Sequence, residues 1–316
     1  MKKIGTMILA FILSIFVCAC NAQEVNSGGD ASSSNDNAAS GLEFKLTEDK
    51  KSYYVAGIGS CTDTDIIIPS TYKNKAVTAI GKSAFNACEN ITSVTIPNSI
   101  TSIEIGAFAN CTNLQSINIP ESITVIKKYT FQKCEQLKSI TIPRSVKIIE
   151  AQVFAECASL ESVTLVEGVS TIGDYTFYCC KNLKNLTFPN SVTTIGDNAF
   201  SNCYSLTSLH IPSSVTSMGE YYCHDFNNLT SVTLPNCITE IIDYAFTGCD
   251  ALQEITIPIS VRRIGECSFE YCPSLQSIKF SGTTAQWEAI EKGSEWIPWN
   301  ASLTIYCIDG NITVKG

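Results

Sequence analysis

Cysteine is the residue type best placed to do chemistry in this chain: there are sixteen in 316 residues, beside two histidines, His210 and His224. Thiolates act as nucleophiles and bind soft metals, but both uses need partner groups at short, fixed spacings. Eight of the cysteines instead fall at 88, 111, 134, 157, 180, 203, 249 and 272, in steps of 23, with Phe226 in the one gap. Side chains stacked one strand apart point the same way, with Cβ atoms about 4.8 Å apart rather than the ~3.8 Å of a disulfide. The column therefore reads as packing, because buried cysteine behaves as a small hydrophobe. The seventh unit supports this: Cys223 stands in the phenylalanine place and Phe226 in the cysteine place. Such an exchange conserves volume, which packing tolerates and metal ligation does not. Cys61, Cys179, Cys223, Cys237, Cys267 and Cys307 lie outside the column; we expect free thiols, and the spacing assigns no disulfide.

His210 falls on an outward-facing column, and His224 lies in the irregular turn Glu220-Tyr221-Tyr222-Cys223-His224-Asp225. Neither has the Ser or Asp neighbours of a catalytic triad. The chain carries no metal-ligand spacing, phosphate loop or nucleophile elbow. We therefore expect no catalytic, metal-binding or cofactor-binding residue, and no enzyme. With charged residues at 16%, a formal charge of −9 and no cluster of Lys and Arg, nucleic acid is not an expected partner.

The elements that position these residues follow from the same period. Phenylalanine recurs at 85, 108, 131, 154, 177, 200, 246 and 269, and the place six residues on holds Ile91 and then leucine from Leu114 to Leu275. Proline stands at 97, 120, 143, 189, 212, 235 and 258, with Val166 and Ser281 as departures. No insertion breaks the register from Ile80 to Phe280, which makes nine units. In Gln115-Ser116-Ile117-Asn118-Ile119 apolar and polar residues alternate, as in a half-buried strand, and Pro120 ends it. Ile123 to Ile126 forms a second extended piece, and Phe131 to Cys134 turns the chain back. One unit cannot bury its own apolar edge, but stacked units make a continuous core. The expected fold is mainly β: a solenoid of parallel strands with short 3-10 or irregular turns on the other faces, capped at both ends.

The pattern Leu-x-x-Val-x-Ile-Pro followed by Ile-Gly-x-x-Ala-Phe-x-x-Cys resembles the BspA-like leucine-rich-repeat family of bacterial surface proteins. Gly81-Lys82-Ser83-Ala84-Phe85-Asn86-Ala87-Cys88 and Gly196-Asp197-Asn198-Ala199-Phe200-Ser201-Asn202-Cys203 carry it well; Glu104, Lys127, Glu150 and Ile242 replace its glycine in four units. The resemblance covers residues 42–316 and implies adhesion to host or neighbouring-cell components. It gives a domain plan of an N-terminal cap over 42–79, a repeat array over 80–281 and a C-terminal cap over 282–316. Trp287, Trp296 and Trp299 are suited to sealing the open end of the core.

Ahead of the caps, Lys2 and Lys3 precede an apolar run from Ile4 to Val17, too short to span a bilayer and suited to a signal peptide. The run ends in Val17-Cys18-Ala19-Cys20, which resembles the bacterial lipobox and implies a lipoprotein signal peptide over 1–19 and lipid attachment at Cys20. Its removal leaves 19 Lys and Arg against 30 Asp and Glu, a formal charge of −11. Residues 20–41 are small and polar and are expected to be a flexible tether. The chain is then expected to be exported, lipid-anchored to the cell envelope and surface-exposed; the alternative is an ordinary secretory signal that happens to contain cysteines.

What remains for function is surface. The outward strand positions are almost all Ser, Thr or Asn, until His210, Glu254 and Lys279 break the pattern. We expect the exposed face to recognise surface or matrix proteins or glycans, with His210, Thr233, Glu254, Thr256 and Lys279 as candidate contact residues. The alternatives are a structural spacer, or a small C-terminal carbohydrate-binding or hydrolytic module.

Overall fold

The computed structural model describes residues 40–219, 226–298 and 302–316. The expected signal segment 1–19, Cys20, nearly all of the tether, Cys223, His224 and Trp299 lie outside them. The chain enters through an antiparallel pair, Glu43–Leu46 with Tyr53–Gly57, and the latter pairs in parallel with Lys75–Ile80. Beyond it the chain winds a mainly β solenoid of about eleven turns. Three faces make up each turn, and each has its own physical reason.

The first face carries the predicted strands, from Asp65–Ile67 through Ser139–Ile142 and Glu254–Ile257 to Ser302–Cys307. They pair in parallel one repeat apart, Ser139 with Ser162 and Ser231 with Glu254. The second carries two-residue strands in the same register, such as Ile148–Ile149 paired with Thr171–Ile172. These follow the proline, which cannot donate to a ladder and so forces the chain round the corner.

The third face is built of turns, as expected, with no 3-10 helix among the described residues and a regular bonding pattern. Alternate N–H groups take different partners. In unit 2 the N–H groups of Gly106, Phe108 and Asn110 donate to Lys128, Thr130 and Gln132 in the next unit, at 2.7–3.0 Å. Those between them, Ala107, Ala109 and Cys111, close tight turns onto the carbonyl three residues back. This zigzag places two residues per unit in left-handed backbone: Ser83, Gly106, Tyr129, Gln152, Tyr175, Asn198, Tyr244 and Cys267 at φ +50° to +63°, and a second set four residues on. Side chains other than glycine are disfavoured there, yet glycine holds few of these places. On this face units 1 to 5 and unit 8 each make three hydrogen bonds to the next unit, which hold the left-handed residues in place.

The core is a set of stacked columns. The rings of Phe85, Phe108, Phe131, Phe154, Phe177 and Phe200 lie 5.2–6.1 Å apart at interplanar angles of 2–10°. Phe246 and Phe269 repeat the geometry at 5.2 Å. In the seventh unit Phe226 is fully buried in the cysteine place. At the C-terminal end Trp296 packs edge-on against Phe269, and Trp287 against Phe280 and Trp296, closing the column with amphipathic rings. A five-residue helix, Thr284–Glu288, carries Trp287 and is opened by a capping box between Thr283 and Gln286.

The glycine column answers a close approach between units. A Cβ on Gly196 would lie 2.2 Å from Asp174 Oδ1 and 2.5 Å from the Asp174 nitrogen. That carboxylate accepts the Asp197 N–H at 3.0 Å.

Candidate binding face

The first face is not one uninterrupted sheet. Its strands form three runs, with no pairing between Ser116–Ile117 and Ser139–Ile142 or between Asn185–Thr187 and Ser208–His210. The longest run has six strands, from Ser208–His210 to Gly310–Lys315. All five candidate contact residues stand on it.

Register decides which of them meet. His210, Thr233, Thr256 and Lys279 lie opposite one another on successive strands, while Glu254 lies one row over, beside Ser231 and Ser277. His210 and Lys279 are exposed; Thr233 and Thr256 are half-buried. Lys279 Nζ sits 2.7 Å from Glu254 Oε1, and Ser277 Oγ donates to Glu254 Oε2 at 3.4 Å. The two charges that break the Ser/Thr pattern are thus each other's partners. A solvent-exposed pair of this kind contributes about 0–1 kcal/mol, so either group can turn to a new partner at low cost.

The row continues past the repeats. Tyr306 lies opposite Lys279, and Asn311 opposite Tyr306. Tyr306 is 45% exposed, between strand neighbours that are buried or half-buried. The period misses it because it follows Lys279 by 27 residues, the helix Thr284–Glu288 having been inserted between them. Alternation in Leu303-Thr304-Ile305-Tyr306 was the available signal: Leu303 and Ile305 are fully buried. The face that results is a row of imidazole, hydroxyls, ammonium and phenol, able to donate and accept hydrogen bonds and to stack.

The cysteine column proves to be more than filler. Cys111, Cys134, Cys157, Cys180, Cys203 and Cys272 each donate the thiol hydrogen to the carbonyl of the phenylalanine 26 residues earlier, with Sγ to oxygen distances of 3.0–3.3 Å. Burial pushes the Cys111 and Cys157 thiols up to about 12. A protonated thiol is a poor nucleophile and ligand, so this column ties units together. Packing was legible from the spacing; the hydrogen bond, which depends on where the next unit's carbonyl falls, was not. No disulfide joins any two of the thirteen described cysteines.

One grouping of metal-ligand types occurs among the described residues: Cys267, Glu270 and Glu295 bring one ligand atom each within 4.8 Å of one another. Burial, and then the charges of Glu270, Glu266 and Glu295, raise the Cys267 thiol to about 11. Its Sγ lies 3.9 Å from Glu295 Oε2. Held protonated, the thiol acts as a donor between carboxylates. Among the described residues no helix is long and apolar enough to cross a membrane.

These features, a parallel solenoid with a repeated Phe-x-x-Cys turn and a polar exposed face, define a leucine-rich-repeat protein. The chain belongs to the BspA-type leucine-rich-repeat family, whose model matches residues 59–184 and 170–290 in six copies. The match is to a repeat region, a fold that is typically non-catalytic. No curated protein matches the chain. Among solved structures it is similar to a leucine-rich cell surface protein from Faecalibacterium prausnitzii, at 25% identity over 84% of this chain and 99% of the other, with a TM-score of 0.46. A leucine-rich repeat protein from Bacteroides ovatus shares 26% identity over 85% and 92% of the two chains, with a TM-score of 0.43. The pneumococcal vaccine antigen PcpA gives a TM-score of 0.50 at 19% identity, over 86% and 87% of the two chains; that likeness is one of fold.

Proposed function

We propose that the protein is a non-enzymatic binding or adhesion protein of the bacterial cell surface, exported and held to the envelope through a lipid on Cys20. It recognises protein or glycan partners through the exposed face of its longest sheet. The observation that carries this reading is the row His210, Thr233, Thr256, Lys279 and Tyr306, which register aligns across five strands. Interfaces draw their strength from a few anchors, tyrosine prominent among them, set among adaptable polar contacts. The row has that composition, and the Glu254–Lys279 pair supplies charge that a partner can recruit. Support for the anchor is the Val17-Cys18-Ala19-Cys20 segment after its apolar run.

The test is capture by immobilised protein of matrix proteins, glycans and whole cells. His210→Asp and Thr233→Asp place charge on the row without touching the core, and capture should fall with each. Capture that survives both substitutions removes this face as the binding surface. Blank results against broad protein and glycan panels would return the chain to the role of a spacer.

A further inference from the structure

A second site stands apart from that row, at the junction of units 2 and 3. In most of the stack, the residue ahead of each strand donates its N–H to the carbonyl 23 residues earlier: Gln115 to Thr92 at 2.8 Å and Glu161 to Lys138 at 2.8 Å. The corresponding bond from Lys138 to Gln115 is missing, and the strands Ser116–Ile117 and Ser139–Ile142 do not pair.

At this junction, unlike the second unpaired one between Asn185–Thr187 and Ser208–His210, an asparagine side chain, Asn118, reaches the preceding strand. Its side-chain Oδ1 accepts the Ile96 N–H at 2.7 Å, and its Nδ2 donates to the Ile96 carbonyl at 2.8 Å. The side-chain amide has taken the place of its own backbone against the preceding strand, and the ladder opens on the following side. One further observation marks the opening. Ile117 is only half-buried, whereas its column neighbours Val94 and Ile140 are 3% and 4% exposed.

The opening is a cleft of about 560 Å³ whose lining includes Ser116, Asn118, Ser139, Thr141, Glu121 and Arg144. No ion pair or side-chain hydrogen bond among the described residues engages Glu121 or the Arg144 guanidinium. The cleft therefore offers strand-edge amide groups without strand partners, exposed hydroxyls, one carboxylate, one guanidinium and a patch of apolar floor at Ile117. Asn118 shows what satisfies such an edge: a planar amide that accepts with its oxygen and donates with its nitrogen.

We propose that this cleft binds the acetamido group of an N-acetylhexosamine residue in a glycan. The acetamido N–H and carbonyl meet the open strand edge as the Asn118 amide meets Ile96, and its methyl covers Ile117. The ring hydroxyls donate to Glu121 and accept from Arg144, Ser139 and Thr141. A sugar without the acetamido group leaves the edge unpaired, and leaving buried polar groups unpaired is how sites of this kind discriminate. The hydroxyl-rich rim favours a sugar over an extended peptide.

The experiment titrates the whole chain with chitotriose and with cellotriose, which has the same linkage but no acetamido groups, by calorimetry and ligand-observed NMR. A serine glycopeptide bearing N-acetylgalactosamine separates mucin-type from wall-type sources of the same chemistry. Saturable binding of either N-acetyl probe is expected, at least roughly tenfold tighter than cellotriose. Thr141→Phe fills the cleft from an exposed strand position and should abolish binding, while Thr187→Phe, two units away in the same outward column, should not. Circular dichroism checks that both variants fold. Equal affinity for cellotriose, no saturable N-acetyl binding at millimolar concentration, or a Thr141→Phe variant that binds like the parent would each overturn the proposal. So would tighter binding of an N-acetylated peptide that carries no sugar. None of these results bears on the His210–Tyr306 row, whose test uses other residues.

Discussion

Replacing Phe154 by alanine tests the central claim about what holds the solenoid together. The ring is fully buried, 5.6 Å from Phe131 and 5.7 Å from Phe177, at 9° and 5° to them. Deleting a buried phenylalanine side chain costs about 3–5 kcal/mol in transfer and cavity terms. Each ring–ring contact accounts for roughly 0.5–1.5 kcal/mol of that, and Phe154 has two. Phe85 is buried as deeply but stacks on one ring, Phe108. Phe85→Ala should therefore cost about 1 kcal/mol less than Phe154→Ala. The backbone contribution is unchanged, because the Phe154 carbonyl that accepts from Cys180 remains in the alanine variant. Stability in a repeat array is close to a sum of unit and nearest-neighbour terms, so a break in the middle weakens two interfaces. Urea unfolding gives the total, and hydrogen exchange shows whether the loss is centred on units 3 to 5. A cost below about 2 kcal/mol for Phe154→Ala, or equal costs at both sites, would refute the stacked column as the main cohesive element.

Two further outcomes follow from the same columns. The buried thiols of Cys111 and Cys157 sit at about 12 against an ordinary value of 9.0. Their contribution to stability is therefore full below pH 9 and lost as pH climbs towards about 12, by about 1.4 kcal/mol per pH unit for each thiol. Urea midpoints should fall over that window, and the buried column cysteines, Cys111, Cys134, Cys157, Cys180 and Cys203, should resist alkylation at pH 8 until the chain unfolds; rapid labelling at these sites in native protein would contradict burial. Gly196→Ala forces a Cβ against Asp174 backbone as well as its carboxylate, and should cost about 1–3 kcal/mol. At Gly57 the nearest atom is the end of the Glu43 side chain at 3.3 Å, so Gly57→Ala should cost less; equal melting temperatures for the two variants would remove the close-approach account.

The 23-residue period by itself determined which residues are buried, because a column that repeats without insertion can face only one way in a stack. It fixed the parallel strands, the phenylalanine, leucine and cysteine columns and the outward row of Ser and Thr. The helix in the last segment was not read from the sequence, although Thr283-Thr284-Ala285-Gln286 has the spacing of a capping box. The left-handed residues of the third face were not, since Tyr129, Gln152 and Lys133 carry no turn signal and are held there by bonds to the next unit. Hydrogen bonds between units belong to the tertiary structure for the same reason: the thiol of Cys157 meets a carbonyl 26 residues away, and no local pattern specifies that distance. Asn118 shows the limit most clearly. In sequence it is one more polar residue in a polar column; in the fold its amide satisfies the edge of the preceding strand, at a junction where the next strand does not pair. Whether a side chain fills a row or opens it depends on which backbone atoms it reaches, and only the stacked structure decides that.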